Sequence, residues 1–210
     1  MKVRVVKIAV VAVLALFVST TAFADNVVLA SLGSAADSGQ TNNSGSPTIA
    51  IDPNAAWSKA LGTSSWVSFA NSGNTNDANY FQVANGTVTS FFDRFTVSGA
   101  PSSGWIEVMA DDSTSVTLNG HLLVAEASTT NNNYTTCSDF GIGCRGAYLI
   151  NFDASDLIDG ENLLQFDVAQ RAGVSYGLDY YGQITTVPEP ATLLLLGSGI
   201  PLLIRLRRRA

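Results

Sequence analysis

Apolar and polar residues alternate through most of the second half of the chain. In 87–97, Phe91, Phe95 and Val97 share one parity, and in 105–110 two apolar sets alternate with Glu107 on one side. A period of two is typical of half-buried β-strands. By the same criterion, further strands are predicted at 27–32, 115–118, 122–125, 147–152, 163–168 and 174–184.

Turn residues separate these predicted strands. Asn119-Gly120 lies between two apolar runs and is the strongest short hairpin signal in the chain. The Ser-, Asn- and Gly-rich tract 33–47 is predicted to be a loop. Helical periodicity is confined to a single predicted turn at 155–158 that Ser155 could cap. Other turns are predicted at 102–104, 159–160 and 172–173.

Short strands at this spacing, with almost no helix, predict an all-β fold: an antiparallel two-sheet sandwich or jelly roll. The predicted domain spans 63–187, preceded by a Ser/Asn/Gly-rich segment with one strand at 25–62. Together, about 163 residues are enough for one domain with its own hydrophobic core.

The N-terminus has the features of a cleavable signal peptide, 1–24. Basic Lys2, Arg4 and Lys7 precede the apolar run 8–18, and Ala22-Phe23-Ala24 gives the small-x-small pattern that signal peptidase cleaves. Cleavage after Ala24 would leave Asp25 as the first residue of the mature protein. The alternative, a retained membrane anchor, is disfavoured because crossing a bilayer takes roughly 20 apolar residues.

The C-terminal segment, 188–210, combines an apolar stretch at 191–204 with four arginines after it. A basic tail of this kind is held on the cytoplasmic side of a membrane. The stretch is short for a transmembrane helix, and its glycines and Pro201 would kink it. The pattern predicts a short transmembrane helix that anchors the chain temporarily.

Pro188-Glu189-Pro190, followed by the apolar stretch and the Arg-rich tail, resembles the PEP-CTERM sorting signal. The resemblance implies that Pro188, Glu189 and Pro190 are recognised by an exosortase, a membrane enzyme of Gram-negative bacteria that often make exopolysaccharide. It also implies export across the inner membrane, transient anchoring, and a final location at the cell surface or in the extracellular matrix. Pro201 within the span departs modestly from the family pattern.

The charge of the predicted mature chain excludes two classes of partner. The formal net charge of −6 hides seven basic residues in the two end segments, and 25–187 keeps four basic against sixteen acidic residues, a net charge of −12. Such a surface repels nucleic acid and anionic lipid.

Cys137 and Cys144 are the two cysteines of the chain. In an oxidising compartment a close pair like this is predicted to form a disulfide. The alternative is a metal or redox pair, but the spacing is not C-x-x-C, and no other cysteine or nearby histidine completes a site.

Two strings resemble the galactose-binding-like jelly roll: 105–120, which contains an acidic pair and Asn-Gly, and 152–168, which contains Gly160 and Asn162 before a strand. Many members of that superfamily serve as carbohydrate-binding or accessory domains. The resemblance covers about 91–184 and therefore implies a jelly roll with a carbohydrate-related role.

Several residues are candidates for ligand chemistry. Asp111 and Asp112 are candidate calcium ligands, although acids at a strand end also cap local backbone N–H groups. Tyr134, Tyr180 and Tyr181 are candidate sugar-binding aromatics, whereas Trp66 and Trp105 are predicted to pack in the core.

The sequence offers little for catalysis. His121 is the one histidine and directly follows the predicted Asn119-Gly120 turn, which favours a solvated side chain over a general base. The predicted function is therefore a non-enzymatic, exported envelope or matrix protein associated with exopolysaccharide or biofilm. The alternative is a carbohydrate-binding module or an accessory domain of a carbohydrate-active enzyme. Calcium is the candidate cofactor, and signal peptidase, exosortase and polysaccharide are the expected partners.

We expect protein from a host with the sorting enzyme to begin at Asp25 and to lack 205–209. Replacing Glu189 by Ala removes a predicted recognition element and should leave precursor in the membrane. Intact-mass measurement of the soluble and membrane fractions checks both outcomes. Soluble protein that retains the arginine tail would contradict the sorting prediction.

Overall fold

The computed structural model describes residues 26–35, 37, 39–127, 141–171 and 173–187. Within those ranges, no helix is long and apolar enough to cross a membrane. Several predicted features lie outside the described residues: the signal peptide with its cleavage site at Ala22, Ala24 and Asp25, the sorting motif Pro188, Glu189 and Pro190 with its predicted transmembrane helix, Cys137 and Tyr134.

The described chain from 26 to 186 forms one compact unit built from short strands and a single 3₁₀ turn. The strands are β1 Asn26–Ala30, β2 Thr41–Asn42, β3 Ile49–Ala50, β4 Val67–Ser68, β5 Val88–Val97, β6 Ala100–Asp111, β7 Ser113–Leu118, β8 His121–Val124, β9 Tyr148–Asp153, β10 Gly160–Ala169 and β11 Gly177–Val187. The 3₁₀ turn is Ala154–Asp156.

These strands form two antiparallel sheets that pack face to face. The six-stranded sheet has the order β3-β4-β11-β6-β9, and β1 also pairs with β11. The five-stranded sheet has the order β2-β5-β10-β7-β8. The predicted all-β two-sheet sandwich is therefore confirmed, and it is consistent with a jelly roll.

Alternation along the strands produces the core between the sheets. Leu164, Phe166 and Val168 of β10 point inward and are fully buried, as are Ile106 and Val108 of β6. Because successive side chains of a strand point to opposite faces, the intervening residues of β6 and β11 lie on the outer face of the six-stranded sheet. That outer face contains the candidate site.

The prediction of a turn at 102–104 is wrong, because β6 begins at Ala100. The chain reverses instead at Gly99, whose φ is +89°. Gly104 is needed for close packing: a Cβ there would lie 2.2 Å from the Phe152 ring. Glycine occurs both in turns and where another group packs closely on the backbone, so the sequence alone does not distinguish the two cases.

Two other local predictions need correction. Asp153, not Ser155, caps the 3₁₀ turn: its side chain accepts a hydrogen bond from Ser155 N at 2.8 Å, and Asp156 Oδ2 accepts one from Asp153 N at 3.2 Å. The predicted loop 33–47 contains β2, which pairs with β5.

Asn119 makes the predicted hairpin turn part of the sheet framework. It has a positive φ of 52°, and Gly120 follows with a φ of 83°. Its amide donates to Asp156 O at 2.9 Å, and its Oδ1 accepts from Leu163 N at 2.9 Å. The β7–β8 turn is thereby joined to the start of β10.

We expect Leu164→Ala to lower the free energy of unfolding by about 2–5 kcal/mol, because Leu164 is fully buried and its loss leaves a cavity. Leu122→Ala is the matched control: the same side chain is 63% exposed on β8, and its truncation should change stability by less than about 0.5 kcal/mol. Denaturant unfolding of both variants measures the difference. Equal effects would contradict the described core.

Candidate functional site

Residues 51–66, which we call the strap, cover part of the outer face of the six-stranded sheet. Ile51, Trp57 and Trp66 of the strap pack with Met109 of β6 and with Cys144 in a second buried cluster. The Trp57 and Trp66 ring centroids are 4.2 Å apart. The sheet thus has a small additional core on its outer side. The predicted burial of Trp66 is confirmed.

A buried carboxylate holds the strap at β11. Asp179 Oδ1 accepts hydrogen bonds from Ser64 Oγ at 2.5 Å and from Ser31 Oγ at 2.9 Å, and Oδ2 accepts one from Leu61 N at 2.9 Å. Burial raises the pKa of Asp179, and these hydrogen bonds oppose the rise.

Asp111, the second carboxylate beneath the strap, accepts a hydrogen bond from Trp57 Nε1 at 2.6 Å. Burial raises the pKa of Asp111 far above its ordinary value, and a hydrogen bond with Asp112 and the charge of Asp112 reinforce the rise. Asp112 accepts from Arg171 N at 2.6 Å. The two acids thus bond the strap and the segment that follows β10.

The candidate calcium ligands are thus brought together, with hydrogen-bond partners from other segments. The described residues contain no group of three or more His, Cys, Asp or Glu side chains placed to hold a metal ion. Asp111 and Asp112 already bond Trp57 Nε1 and the backbone of Arg171. Calcium binding by Asp111 and Asp112 stays a prediction.

The structure corrects the assignment of Tyr180 as a sugar-binding residue. Its side chain points into the sandwich, is only 2% exposed, and stacks on Phe166 with a centroid distance of 4.6 Å. Its hydroxyl donates to Asp93 Oδ2 at 2.7 Å. Tyr180 offers no ring face to a ligand because both its ring and its hydroxyl are used in the core.

Tyr181, the next residue, lies on the outer face and is half-buried. Its ring packs edge-to-face with Trp105 of β6, with centroids 6.0 Å apart and an interplanar angle of 62°. The prediction that Trp105 packs in the core is wrong: it shares the outward parity of Glu107, opposite to that of Ile106.

Polar side chains surround this aromatic pair. Glu107 follows Trp105 on the same face of β6, Asn151 of β9 pairs with Trp105, and Gln183 follows Tyr181 on β11. Leu149 pairs with Glu107, and Val28 pairs with Gln183; both are 54% exposed. We call this surface the platform; it consists of Trp105, Glu107, Asn151, Tyr181 and Gln183, bordered by Val28 and Leu149.

His121 lies apart from the platform, on the five-stranded sheet. Its side chain is 62% exposed, and its Nδ1 lies 3.4 Å from Asp156 Oδ1. The predicted solvated position of His121 is confirmed. Cys144 is fully buried in the second cluster, and its predicted bridge stays a prediction because Cys137 is outside the described residues.

No protein-family model matches the chain, and no curated protein matches it. Among solved structures, a native family 35 carbohydrate binding module from Clostridium thermocellum aligns with a TM-score of 0.39 at 13% identity, covering 76% of this chain and 97% of that one. A Podospora anserina GH26-CBM35 beta-(1,4)-mannanase gives a TM-score of 0.39 at 14% identity, covering 79% of this chain and 28% of that one. A Bifidobacterium dentium beta-glucuronidase complexed with coumarin-3-O-glucuronide gives 0.34 at 16%, covering 80% and 31%. These similarities are distant, and no site is transferred from them.

Tyr181 was predicted as a site residue from the sequence, whereas Trp105, Glu107, Asn151 and Gln183 were not. The signal was available as parity: Trp105 and Glu107 alternate with Ile106 and Val108. Which of two alternating sets faces a sandwich core depends on the partner sheet, which a single strand does not specify.

Asp93 of β5 is the buried acid that accepts the hydrogen bond from the Tyr180 hydroxyl. It is 3% exposed, and its Oδ1 has no hydrogen-bond partner. Burial raises the pKa of Asp93 to about 6, a rise that the hydrogen bond from Tyr180 reduces and the charge of Asp37 increases. A cavity of about 10 Å³, whose lining includes Tyr180 and Phe166, is too small for a substrate.

We expect the free energy of unfolding to fall by about 2 kcal/mol from Asp93 alone as pH rises from about 4 to about 6. The unfolded Asp ionises near 3.8 while the folded Asp93 keeps its proton to about 6, so its contribution is greatest at the acidic end and is lost as pH rises. Asp93→Asn should remove this part of the pH dependence. Denaturant titrations at pH 4, 5, 6 and 7 measure it, and equal slopes for both proteins would contradict the assignment.

Proposed function

We propose that this chain is an exported, non-enzymatic protein of the cell surface or extracellular matrix of a Gram-negative bacterium, and that it binds polysaccharide through the platform. The single observation that carries the binding proposal is that the platform side chains keep their hydrogen-bonding groups available. Trp105, Glu107, Asn151, Tyr181 and Gln183 make no side-chain hydrogen bond to any described residue.

The chemistry of the platform suits a sugar. The C–H face of a pyranose ring packs on an aromatic ring, and its hydroxyl groups need carboxylate and amide partners. The platform provides two aromatic rings, one carboxylate and two amides on one side of neighbouring strands. This arrangement favours the carbohydrate-binding alternative drawn from the sequence over a purely structural matrix role.

Export and sorting are supported by the two ends of the sequence. The resemblance of 188–210 to a PEP-CTERM signal makes exosortase the processing partner, after signal peptidase has removed 1–24. The membrane contact is transient in this proposal. The net charge of −12 on 25–187 suits a soluble matrix protein and disfavours anionic partners.

The absence of catalysis is proposed from the placement of the acids. Glycoside hydrolysis requires two carboxyl groups that flank the scissile bond. Glu107 is the carboxylate of the platform, whereas Asp153, the nearest outward acid of β9, caps the 3₁₀ turn. Asp111 and Asp179 lie buried beneath the strap and bond strap atoms. The exposed His121 is on the other sheet.

We expect Trp105→Ala and Tyr181→Ala each to weaken polysaccharide binding by roughly tenfold or more, because each removes an aromatic contact. Phe92→Ala and His121→Ala are controls, since both residues lie on the five-stranded sheet, and they should leave binding unchanged. Affinity electrophoresis of the exported protein in gels containing neutral polysaccharides measures the effect. Unchanged binding in both platform variants, or turnover of a glycan lost with a single acid, would overturn the proposal.

A further inference from the structure

We propose that Asp179 is a positioning residue of the platform: it holds the strap so that Gly62 covers one face of Tyr181 and leaves the other face for a neutral sugar. This inference rests on the proposed polysaccharide binding. It assigns a role in binding to Asp179, which does not touch the ligand, and it assigns neutral sugars as the ligand class of the platform.

The first step is the contact between Gly62 and Tyr181. A Cβ built on Gly62 would lie 2.7 Å from the Cγ and Cδ2 atoms of the Tyr181 ring. The strap backbone therefore lies directly against that ring. Gly62 has a φ of +46°, so a glycine meets two requirements here, a left-handed conformation and a close approach.

The second step is what fixes Gly62. Its neighbours Leu61 and Ser64 donate hydrogen bonds to the two carboxylate oxygens of Asp179, and Ser64 N donates to Leu61 O at 2.7 Å to close the turn. Asp179 and Tyr181 point to the same side of β11 because they are two residues apart. β11 thus carries both the Tyr181 ring and the carboxylate that holds the strap backbone against it.

Asp179 is suited to holding the strap because it is buried and surrounded by hydrogen-bond donors. It is fully buried, and no ion pair joins it to the described residues. A buried carboxylate is costly unless donors surround it, and hydrogen bonds to a charged acceptor are stronger than neutral ones. Its donors come from 31, 61 and 64, so it joins the residue that follows β1, the strap and β11 at one point.

The ligand class follows from the charges around the surface. Glu107 is the charged member of the platform, and the outward positions that define it include no lysine or arginine. The net charge of −12 on 25–187 adds a long-range field of the same sign. A neutral glycan can use the amides and carboxylate as hydroxyl partners, whereas a uronate polymer meets repulsion.

The test uses Asp179→Asn in the exported protein. Asparagine keeps the volume, but its amide nitrogen cannot accept the hydrogen bonds that one carboxylate oxygen now accepts. We expect affinity for a soluble neutral galactomannan to fall roughly tenfold and the nuclear Overhauser contact between Gly62 and the Tyr181 ring to be lost. Asp167→Asn, on the outer face of the other sheet, is the matched control and should change neither.

A double-mutant cycle separates positioning from general destabilisation. If Asp179 acts through Tyr181, Asp179→Asn should have little further effect on binding in a Tyr181→Ala background. Additive losses in the cycle would overturn the positioning role. Gly62→Ala gives a second route if Asp179→Asn does not fold: its methyl group must displace the Tyr181 ring, so affinity should fall while the donors to Asp179 remain.

The outcomes distinguish this inference from the proposed function. Loss of binding in Trp105→Ala and Tyr181→Ala with normal binding in Asp179→Asn and Gly62→Ala overturns the positioning role alone. Equal binding to polygalacturonate and galactomannan overturns the ligand class alone. Wild-type protein that binds neither neutral nor anionic polysaccharide overturns both the inference and the function on which it rests.

Discussion

The structure depends on burying aspartates that accept hydrogen bonds from neutral donors. Asp93, Asp111 and Asp179 accept hydrogen bonds from a tyrosine, a tryptophan and two serines with a backbone N–H. Each bond joins segments distant in sequence, so the acids fix the sandwich and the strap more specifically than apolar packing does. The cost is desolvation, which raises all three pKa values.

The strap turns one sheet face into two regions with different roles. Over Met109 and Asp179 it makes a second buried core that contains Trp57 and Trp66. Beyond Gly62 the same face is left open, and there the outward residues of β6, β9 and β11 form the platform. The outer face of the six-stranded sheet is therefore covered where the strap packs on it and uncovered where that contact ends.

The sequence was sufficient for the fold class and for most strands, because alternation is local. It was insufficient where the answer depends on a distant partner. Tyr180 and Tyr181 are adjacent and chemically alike, yet one is core and the other surface, and only the facing sheet decides which. The hydrogen bonds from Trp57 to Asp111 and from Leu61 to Asp179 span 54 and 118 positions, and no local pattern indicates them. The two end signals stay predictions that rest on local composition alone.

The hydrogen bonds of the Asn119 side chain affect how readily this residue deamidates. An asparagine before glycine is prone to deamidation, in which the following backbone nitrogen attacks the side-chain carbonyl and ammonia leaves. Here the amide nitrogen of Asn119 donates to the 3₁₀ turn and to β10, and its amide oxygen accepts from β10, so the side chain is kept from rotating onto Gly120. The hairpin is thereby protected against this route of chemical ageing.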